Sequence, residues 1–317
     1  MLKDVIKVIK DHRSFVITAH INLEGDALGS ELGMYGLLRK LEKRIYIYNY
    51  DRTPNIYDFL PYIKVIKNEP PKGKFDVALV LDCSDSSRTG GVKDYLGRTK
   101  YIVNIDHHIS NTLFGDVNWV DPKASSASEM VFRICREFKI INRNIALALY
   151  TGIFTDTGNF TYANATSNVH KAVAHLMKYG IKPAKIYESL HSCLYAKDIR
   201  FIGKLLSSLR IDYTNKICWV VIRKWPDMGF DLTEIIFSVM KLLKDMEVFV
   251  LFKKVEYKKV RVNFRSRAKV DVNRIAKFFG GGGHKRASGT TVDGTLQQTE
   301  KKVISFIRRY TNGRNKR

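Results

Sequence analysis

Short apolar runs alternate with longer amphipathic segments through the first half of the chain, up to about residue 160. Four of these runs have the length and composition of strands, and their sequences are FVITA, RIYIYNY, DVALVLD and YIVNID. Strands that alternate with helices form a mostly parallel sheet flanked by helices, and such a sheet binds ligands at the carboxyl ends of its strands. The pattern therefore predicts an α/β fold whose chemistry lies at the strand ends.

The remaining pattern predicts a second, smaller α/β domain. Three helix-like segments follow the first four strands, and the last of them ends at Gly180, in the position of a helix C-cap. A connecting helical segment runs from Pro183 to about Leu209, and the strand-like runs ICWVVI, VFVLFKKV and KVRVNFRS follow it. We predict a first domain over residues 1–186, a helical linker over residues 187–210 and a second domain over residues 211–317.

The charge balance indicates a polyanionic partner. The 317 residues include 54 Lys or Arg against 31 Asp or Glu, which gives a formal net charge of +23. RNA, DNA, a nucleotide or an anionic lipid surface would fit this balance, and a generally basic proteome is the alternative explanation. The excess concentrates between Lys253 and Arg286, where twelve Lys or Arg stand against Glu256 and Asp271. This segment is therefore the predicted contact for an anion.

No stretch approaches the roughly 18 consecutive apolar residues that a bilayer-spanning helix needs, and the first residues lack the apolar run of a secretory signal. The four cysteines are widely spaced, without a C-x-x-C pair, so we interpret them as reduced thiols rather than as a zinc cluster or disulfides. They are Cys83, Cys135, Cys193 and Cys218. These features predict a cytoplasmic protein without a membrane partner.

Candidate metal ligands follow the predicted strands. The segment AHINLEGDALGS places His20, Glu24 and Asp26 in a short loop just before a helix begins. Acids at a helix start also stabilise the helix dipole, so this segment alone is weak evidence. Three further segments repeat the pattern, with Asp82 in LVLDCSDSSRTG, Asp106, His107 and His108 in NIDHHIS, and Asp156 in IFTDTGNF. Oxygen and imidazole ligands without thiolates suit Mn²⁺, Mg²⁺ or Fe²⁺, so the four segments predict one divalent-metal centre.

A glycine-rich segment marks the second domain. In GGGGH the backbone amides are unhindered, so this loop can approach a phosphate or a ribose closely. A flexible linker is the alternative, but the loop lies between a helical pattern and the strand-like run ASGTTV. Arg261, Asn263 and Arg265 stand at alternate positions of a predicted strand and would share one face, which suits phosphate binding. A solvated strand face is the alternative explanation for these three residues.

The motifs IDHHISN and FGGGGHKRASG, in this order and spacing, resemble those of the DHH phosphoesterase superfamily. The likeness is to its DHH–DHHA1 type, which includes enzymes that degrade nanoRNA, dephosphorylate pAp or cleave cyclic dinucleotides. The resemblance covers nearly the whole chain. It implies a DHH catalytic domain, a DHHA1 substrate-binding domain and an active site in the cleft between them.

The resemblance also implies roles for individual residues. One metal would be held by His20, Glu24 and Asp82, and a second by Asp26, Asp82, His107 and Asp156, so that Asp82 bridges the two. Asp106 would orient a histidine and His108 would donate to the phosphate, which completes a catalytic set with Asp82 and His107. The implied substrate contacts are Arg88, His108, Arg265, Gly282, Gly283 and His284.

One position departs from the family pattern. Glu24 stands where the family has Asp, and Leu23 stands where it usually has Pro. Glutamate keeps the carboxylate but adds a methylene, which could be absorbed by the loop, loosen the metal site or change its metal preference. Our hypothesis is that Glu24 still binds metal.

These inferences predict a two-metal phosphodiesterase, most simply a manganese enzyme, that hydrolyses short oligoribonucleotides to mononucleotides and also removes the 3′-phosphate of pAp. An alternative is a phosphodiesterase for cyclic di-AMP or the linear dinucleotide pApA. A third interpretation is an inactive nucleic-acid-binding protein whose metal centre Glu24 has disabled. The resemblance further suggests a homodimer.

Overall fold

The computed structural model describes residues 1–191, 194–225 and 232–312, without the side chain of Asn312. The chain divides into two compact units, Met1–Cys193 and Leu194–Arg317. This division falls inside the linker predicted over residues 187–210, while the predicted domain bounds themselves stay a prediction. Cys193 and the basic residues after Gly313 lie outside the described part of the chain.

The first unit contains a six-stranded sheet in which every pair is parallel, which confirms the predicted mostly parallel sheet. The strand order is β3-β2-β1-β4-β5-β6. The edge strands β3 and β6 were not predicted, because each is short and lacks a continuous apolar run. The strands are β1 Ser14–Thr18, β2 Arg44–Tyr48, β3 Ile66–Lys67, β4 Val77–Leu81, β5 Tyr101–Asp106 and β6 Val117–Val120.

Seven α-helices and three short 3-10 helices belong to the described part of this unit. The bounds of the α-helices are α1 Leu2–Asp11, α2 Gly25–Lys40, α3 Lys93–Leu96, α4 Ala127–Glu137, α5 Arg143–Asp156, α6 Ser167–Met177 and α7 Pro183–His191. The predicted C-cap residue Gly180 has a φ of 77° and lies three residues beyond the end of α6. Its left-handed backbone is the conformation that a glycine adopts most readily.

The first sheet is buried on both faces. All five residues of β1 and of β4 are buried, as expected for central parallel strands with continuous apolar sequences. Successive side chains point to opposite faces, so Phe15 and Ile17 join the larger core while Val16 joins a smaller one. The buried helix α2 packs on α5 at Gly29 and Gly152, where an added Cβ on Gly29 would lie 2.9 Å from the Gly152 Cα. This close approach brings the start of α2 near the end of α5.

The second unit contains a mixed sheet of order β11-β12-β10-β9-β8-β7, in which β8 and β9 are parallel and the other pairs are antiparallel. The strands are β7 Arg210–Asp212, β8 Ile217–Ile222, β9 Val248–Glu256, β10 Lys259–Ser266, β11 Gly282–His284 and β12 Ala287–Asp293. The helices are α8 Ala196–Leu206, α9 Thr233–Met240, α10 Val272–Phe278 and α11 Leu296–Asn312. The first and second units together confirm the predicted α/β class.

The two faces of the second sheet are covered differently. Helices α10 and α11 pack on one face, where Val260, Val262 and Phe264 of β10 are buried. On the other face, α8 and α9 pack against β8 and β9. The alternate positions of β10 on that face, Arg261, Asn263 and Arg265, are exposed or half-buried. The three residues therefore share one face, as their spacing predicts.

Some local expectations change. Part of the predicted glycine loop is the short edge strand β11, because its backbone pairs with β12 in the register Gly282↔Gly289 and His284↔Ala287. The predicted connecting helix is two helices, α7 and α8, rather than one.

Three of the four cysteines lie in the described part of the chain, and all three are buried free thiols. No helix among the described residues is both long and apolar enough to cross a bilayer.

Candidate metal centre

The candidate ligands meet where the strand order of the first sheet reverses. The chain leaves β1 toward β2 and β3 on one side, and then resumes at β4 toward β5 and β6 on the other. His20 follows β1, Asp82 follows β4, and His107 follows β5, which are three neighbouring strands. A reversal of this kind opens a crevice at the carboxyl ends of the strands, because the two connections diverge there. The sheet topology therefore gathers residues that are far apart in sequence.

Asp82 lies at the centre of this arrangement. It is 1% exposed, and both of its carboxylate oxygens are buried without a hydrogen-bond partner. Its backbone adopts a left-handed conformation, with a φ of 52°, directly after β4 ends. A buried carboxylate without a donor is costly, and strained backbone of this kind is concentrated at functional sites. Asp82 thus has two oxygen atoms that the protein itself does not satisfy.

His20 contacts one side of Asp82. Its Nδ1 lies 2.6 Å from the Ile21 carbonyl oxygen, so Nδ1 carries the proton and donates it to that carbonyl. In the neutral ring, the second nitrogen, Nε2, faces the acids with its lone pair. It lies 3.4 Å from Asp82 Oδ2 and 3.8 Å from Glu24 Oε1. This fixed tautomer is the one in which Nε2 can bind a metal.

His107 contacts the other side of Asp82. Its Nε2 lies 3.5 Å from Asp82 Oδ1, 3.9 Å from Asp26 Oδ2 and 3.7 Å from Asp156 Oδ2. Asp26 is in the first turn of α2 and Asp156 is the last residue of α5, the two helices that pack closely. Potential ligand atoms of Asp26, His107 and Asp156 all lie within 4.8 Å of one another, as do those of His20, Glu24 and Asp82.

The position of Asp26 depends on a helix start that our sequence reasoning did not connect to the site. The Asp26 carboxylate accepts hydrogen bonds from the backbone amides of Ala127, at 2.6 Å, and Ser128, at 2.8 Å. These amides begin α4, whose positive dipole end favours a carboxylate. The signal in the sequence was the S-x-x-E pattern of Ser126 and Glu129 before a helix; in the structure Ser126 accepts from the Glu129 amide, while the Glu129 carboxylate accepts from the Ser125 amide rather than from the N-cap amide.

The convergence of acids shifts their pKa values. Burial, and then the charge of Asp82, raise the pKa of Asp26 to about 7. Burial, and then the charge of Asp26, raise the pKa of Asp156 to about 8. Asp82 shows the opposite direction: burial would raise its pKa, but His107 and His20 outweigh burial and hold it well below the usual range. Negative charge is therefore crowded around one point, where a cation would relieve the repulsion.

The two histidines respond to the same crowding. Burial alone would lower the pKa of His20, but the nearby Asp82 carboxylate outweighs it and raises the pKa to about 9. For His107, burial is likewise outweighed by Asp82, with smaller contributions from Asp26 and Asp156, and the pKa rises to about 10. A proton on each histidine takes the place that a metal cation would otherwise have in balancing the acids.

Asp106 and His108 form a separate pair beside Asp82. Asp106 is fully buried, and its Oδ1 accepts a hydrogen bond of 2.7 Å from His108 Nδ1. Its Oδ2 accepts a 2.6 Å hydrogen bond from the Asn111 side chain, a residue that the motif comparison did not single out. The pair fixes the His108 ring so that Nε2 points away from Asp106, while Nδ1 lies 3.6 Å from Asp82 Oδ1. The buried acid therefore holds the His108 ring in one orientation.

Glu24 is the most exposed of the candidate ligands, with 61% of its side chain accessible. It is the N-cap residue of α2, but its side chain forms no capping hydrogen bond. Tyr57 lies nearby: burial, and then the charge of Glu24, raise the pKa of its hydroxyl to about 12. The Glu24 carboxylate therefore does not cap the helix, and it faces His20 Nε2.

The candidate substrate contacts lie in both units. In the first, Arg88 is half-buried, its Nη1 donates to Ser84 Oγ at 3.4 Å, and its carbonyl accepts from the Ile21 amide at 2.7 Å. In the second, Arg265 pairs with Glu234 and lies over the Phe237 ring at 4.9 Å. The remaining candidates of the second unit are exposed, and they are Gly282, Gly283 and His284.

The residues present fit a pair of divalent cations. Two ligand atoms that share one cation, each about 2.1 Å from it, lie roughly 3–4 Å apart. The Nε2-to-oxygen separations of 3.4–3.9 Å at His20 and His107 are in this range. Asp82 offers one unsatisfied oxygen toward each histidine. The donor set contains carboxylates and imidazoles only, which is the preference of Mn²⁺, Mg²⁺ or Fe²⁺.

Comparison with known proteins agrees with this chemistry. Residues 14–153 match the model of the DHH family N-terminal domain, and residues 220–313 match that of the DHHA1 domain. The Thermus thermophilus protein named bifunctional oligoribonuclease and PAP phosphatase NrnA is 30% identical over 314 residues, which cover 97% of this chain and 93% of that protein. The chain belongs to the DHH–DHHA1 phosphoesterase family. This membership confirms the family and the hydrolase class that the two motifs predict.

Two further relatives cover this DHH–DHHA1 protein almost completely. A Bacillus subtilis protein of the same name is 27% identical over 302 residues, covering 92% of this chain and 93% of that one. The crystal structure of an exopolyphosphatase-related protein from Bacteroides fragilis is 25% identical, with a TM-score of 0.90 over 98% of this chain and 96% of that one. The two-unit architecture is therefore shared along the full length of the chain. Use of divalent metal is consistent with the family and with the cluster of acids and histidines.

Proposed function

We propose that this phosphoesterase is a two-metal phosphodiesterase that hydrolyses very short oligoribonucleotides to mononucleotides and also removes the 3′-phosphate of pAp. The observation that carries the proposal is the buried Asp82 carboxylate, whose two unsatisfied oxygens face His20 and His107 separately. The relatives named as oligoribonucleases and PAP phosphatases support the choice of substrate.

In this proposal one metal is held by His20, Glu24 and Asp82, and the other by Asp26, Asp82, His107 and Asp156. Mn²⁺ is the metal we propose, with Mg²⁺ or Fe²⁺ as alternatives. When bound, such a pair supplies a water acidified enough to attack phosphorus at neutral pH and neutralises the charge that develops there. No nucleophilic side chain is then required.

The protein groups around the centre have separate tasks. Asp106 holds Nδ1 of His108, so that the opposite ring nitrogen, when it carries a proton, donates to a phosphate oxygen. Arg88 contributes a second donor from the loop that is bonded to Ile21. Both groups are in position before the substrate binds. Donors that are positioned in advance give the most effective electrostatic stabilisation, because they need not reorganise during the reaction.

The second unit supplies affinity for short, charged substrates. Arg261, Asn263 and Arg265 share an accessible face of β10, and the glycines of β11 leave backbone amides unhindered. Cationic side chains of this kind bind phosphates without reading the base sequence, and glycines let a phosphate approach the backbone closely. We propose that Arg265, His284, Gly282 and Gly283 hold the end of the oligonucleotide.

The test is a substrate panel. The panel consists of 5′-labelled di- to pentaribonucleotides, a long RNA, pAp, pApA and cyclic di-AMP, each with Mn²⁺, with Mg²⁺ or with a chelator. We expect mononucleotides from the short RNAs and AMP from pAp, little product from the long RNA, and none with the chelator.

Two results would contradict the proposal in different ways. Faster hydrolysis of cyclic di-AMP or pApA than of the longer oligoribonucleotides would favour the dinucleotide phosphodiesterase. Salt-dependent binding of RNA without any product, in the presence of every metal, would favour an inactive nucleic-acid-binding protein. Sedimentation of the same preparation would test the predicted homodimer.

A further inference from the structure

Tyr50 is an exposed aromatic residue at the same end of the first sheet as the candidate metal centre. It lies two residues after β2 and is 59% exposed. It belongs to none of the four core clusters formed by the described residues, so its ring does not contribute to core packing. Because β2 is the parallel neighbour of β1, the residues after each strand meet at one edge of the sheet.

The Tyr50 ring is seated on two glycines. A Cβ added to Gly90 would lie 2.8 Å from the Tyr50 Cγ and 2.9 Å from its Cδ1, and one added to Gly91 would lie 3.0 Å from its Cε2. The ring therefore lies close to the Gly90–Gly91 backbone along both its Cδ1 edge and its Cε2 edge. Gly90 has a φ of 61° and a ψ of −141°, which other residues rarely adopt. The loop accommodates the ring only because these positions lack side chains.

The backbone that carries Tyr50 is fixed on both sides of it. The side-chain amide of Asn68 donates to the carbonyl of Asn49, at 3.0 Å, and to the carbonyl of Asp51, at 2.6 Å. The Asp51 carboxylate accepts a 2.5 Å hydrogen bond from the Asn22 amide, in the loop that contains His20 and Glu24. An exposed ring that the backbone holds in place can bind a ligand with little further loss of conformational entropy.

Gly90, on which the Tyr50 ring packs, also contacts the loop of the candidate catalytic residues. A Cβ added to Gly90 would also lie 2.9 Å from the Ile21 Cγ2, so the Ile21 side chain and the Tyr50 ring border the same position. Ile21 follows His20 in sequence, and its amide donates to the Arg88 carbonyl. Arg88 itself is two residues before Gly90. One face of the ring is thus covered by the loop of Arg88, and the ring stands beside the loop of His20.

We propose that Tyr50 is the stacking platform for the nucleobase attached to the phosphate that is cleaved. The inference rests on the proposed function, and it specifies the substrate as a nucleotide whose base is bound by the first unit. Arg88 belongs to the same segment as Gly90 and Gly91, against which the Tyr50 ring rests, so a proposed phosphate contact and a base platform border one segment of the chain. Stacking on one aromatic face tolerates every base, so the platform contributes affinity without sequence specificity.

The experiment compares the wild type with Tyr50→Phe, Tyr50→Ala and Tyr101→Ala. Tyr101 is the matched control, because it is also an exposed tyrosine, 42% accessible, but it begins β5 at the opposite end of the sheet. Each protein is assayed with Mn²⁺ on pApA and on an analogue that lacks both bases. We expect Tyr50→Ala to raise KM for pApA about tenfold to a hundredfold, with kcat within about twofold.

On the base-free analogue, Tyr50→Ala should have the same KM and kcat as the wild type. Tyr50→Phe and Tyr101→Ala should have wild-type KM and kcat on both substrates. An equal loss on both substrates, or no loss on either, would overturn the platform. If the wild type hydrolyses neither substrate, the proposed function fails, and binding of a dinucleotide containing 2-aminopurine still decides the platform. Its fluorescence should then report binding about tenfold or more weaker to Tyr50→Ala than to Tyr101→Ala.

Discussion

Two aspartates on either side of β4 use their charge in opposite ways. Asp76 comes just before the strand and accepts hydrogen bonds from the Ser14 amide and hydroxyl, at 3.1 and 2.7 Å, and from Lys100, at 2.9 Å. Asp82 comes just after the strand, is almost fully buried, and has no hydrogen-bond donor on either oxygen. The amino end of the sheet is thus saturated with local partners, whereas the carboxyl end holds unsatisfied charge. Hydrogen bonding thus distinguishes an acid that stabilises the fold, Asp76, from an acid whose oxygens are available to a ligand, Asp82.

The largest expected effect comes from Asp82→Asn. This change should lower turnover by about a thousandfold or more, because the neutral amide removes the charge that both proposed metals share. Thermal unfolding without added metal should occur at a lower temperature, because His20 and His107 hold the pKa of Asp82 well below its ordinary range, so that the ionised carboxylate stabilises the folded state at neutral pH. Asp94→Asn, at an exposed position of α3, is the control for the substitution itself. Retained turnover would overturn the two-metal assignment.

The next effect concerns Glu24. Glu24→Ala should lower turnover about tenfold to a hundredfold and reduce the metal bound per chain, because one oxygen ligand is lost. Glu24→Asp should stay within about threefold of the wild type, since the family carries Asp at this position. Elemental analysis and kinetics on the same preparations provide the measurement. An alanine variant with normal metal content and rate would exclude Glu24 as a ligand.

A third effect extends the comparison to the second unit, where strand positions hold cations instead of acids. Arg265→Ala should lower kcat/KM for short RNA by about tenfold, mainly through KM, because a phosphate contact is lost. Arg274→Ala is the matched control, since Arg274 lies on α10, on the other face of the sheet, and is 70% exposed. Equal losses in the two variants would show a general charge effect rather than a specific contact.

The smallest expected effect on turnover comes from Asp76→Asn, at the other end of β4 from Asp82. Asp76→Asn should leave turnover unchanged but lower the free energy of unfolding by about 1–2 kcal/mol at pH 7, because charged hydrogen bonds are lost. The Ser14 and Lys100 contacts hold the pKa of Asp76 far below its ordinary value of 3.8. Its contribution is therefore complete above about pH 4 and disappears as the pH falls further. Urea denaturation of both proteins at pH 7 and at pH 3 measures the change.

The sequence could predict much of the fold because the central strands are continuous apolar runs. It gave no indication of β3 and β6, which have two and four residues and are fixed by neighbouring strands rather than by their own pattern. Strand β11 was taken for a loop because glycine has a low strand propensity, and only its pairing with β12 makes it extended.

The candidate site also contains residues that the sequence predicts and residues that it does not. Its acids and histidines were visible because they recur where predicted elements end. The pattern of Ser126 and Glu129 indicates a helix start, but it does not indicate that the amides of Ala127 and Ser128 bind Asp26. Asn111 binds Asp106 from a loop without a regular pattern. Tyr50 was missed because its role depends on a contact with Gly90, forty residues later in the chain. Contacts of this kind require the tertiary structure.

The parallel pairing of β1 with β4 has a consequence for folding and biosynthesis. Phe15 pairs with Val77, and the last candidate ligand, Asp156, ends a helix that packs on α2. Pairing between strands so distant in sequence is slow, because a long loop must close before the contacts form. A nascent chain therefore cannot assemble the centre until Asp156 has left the ribosome. Metal loading is consequently expected only after every ligand segment of the first unit has been synthesised, rather than as a nucleus for folding.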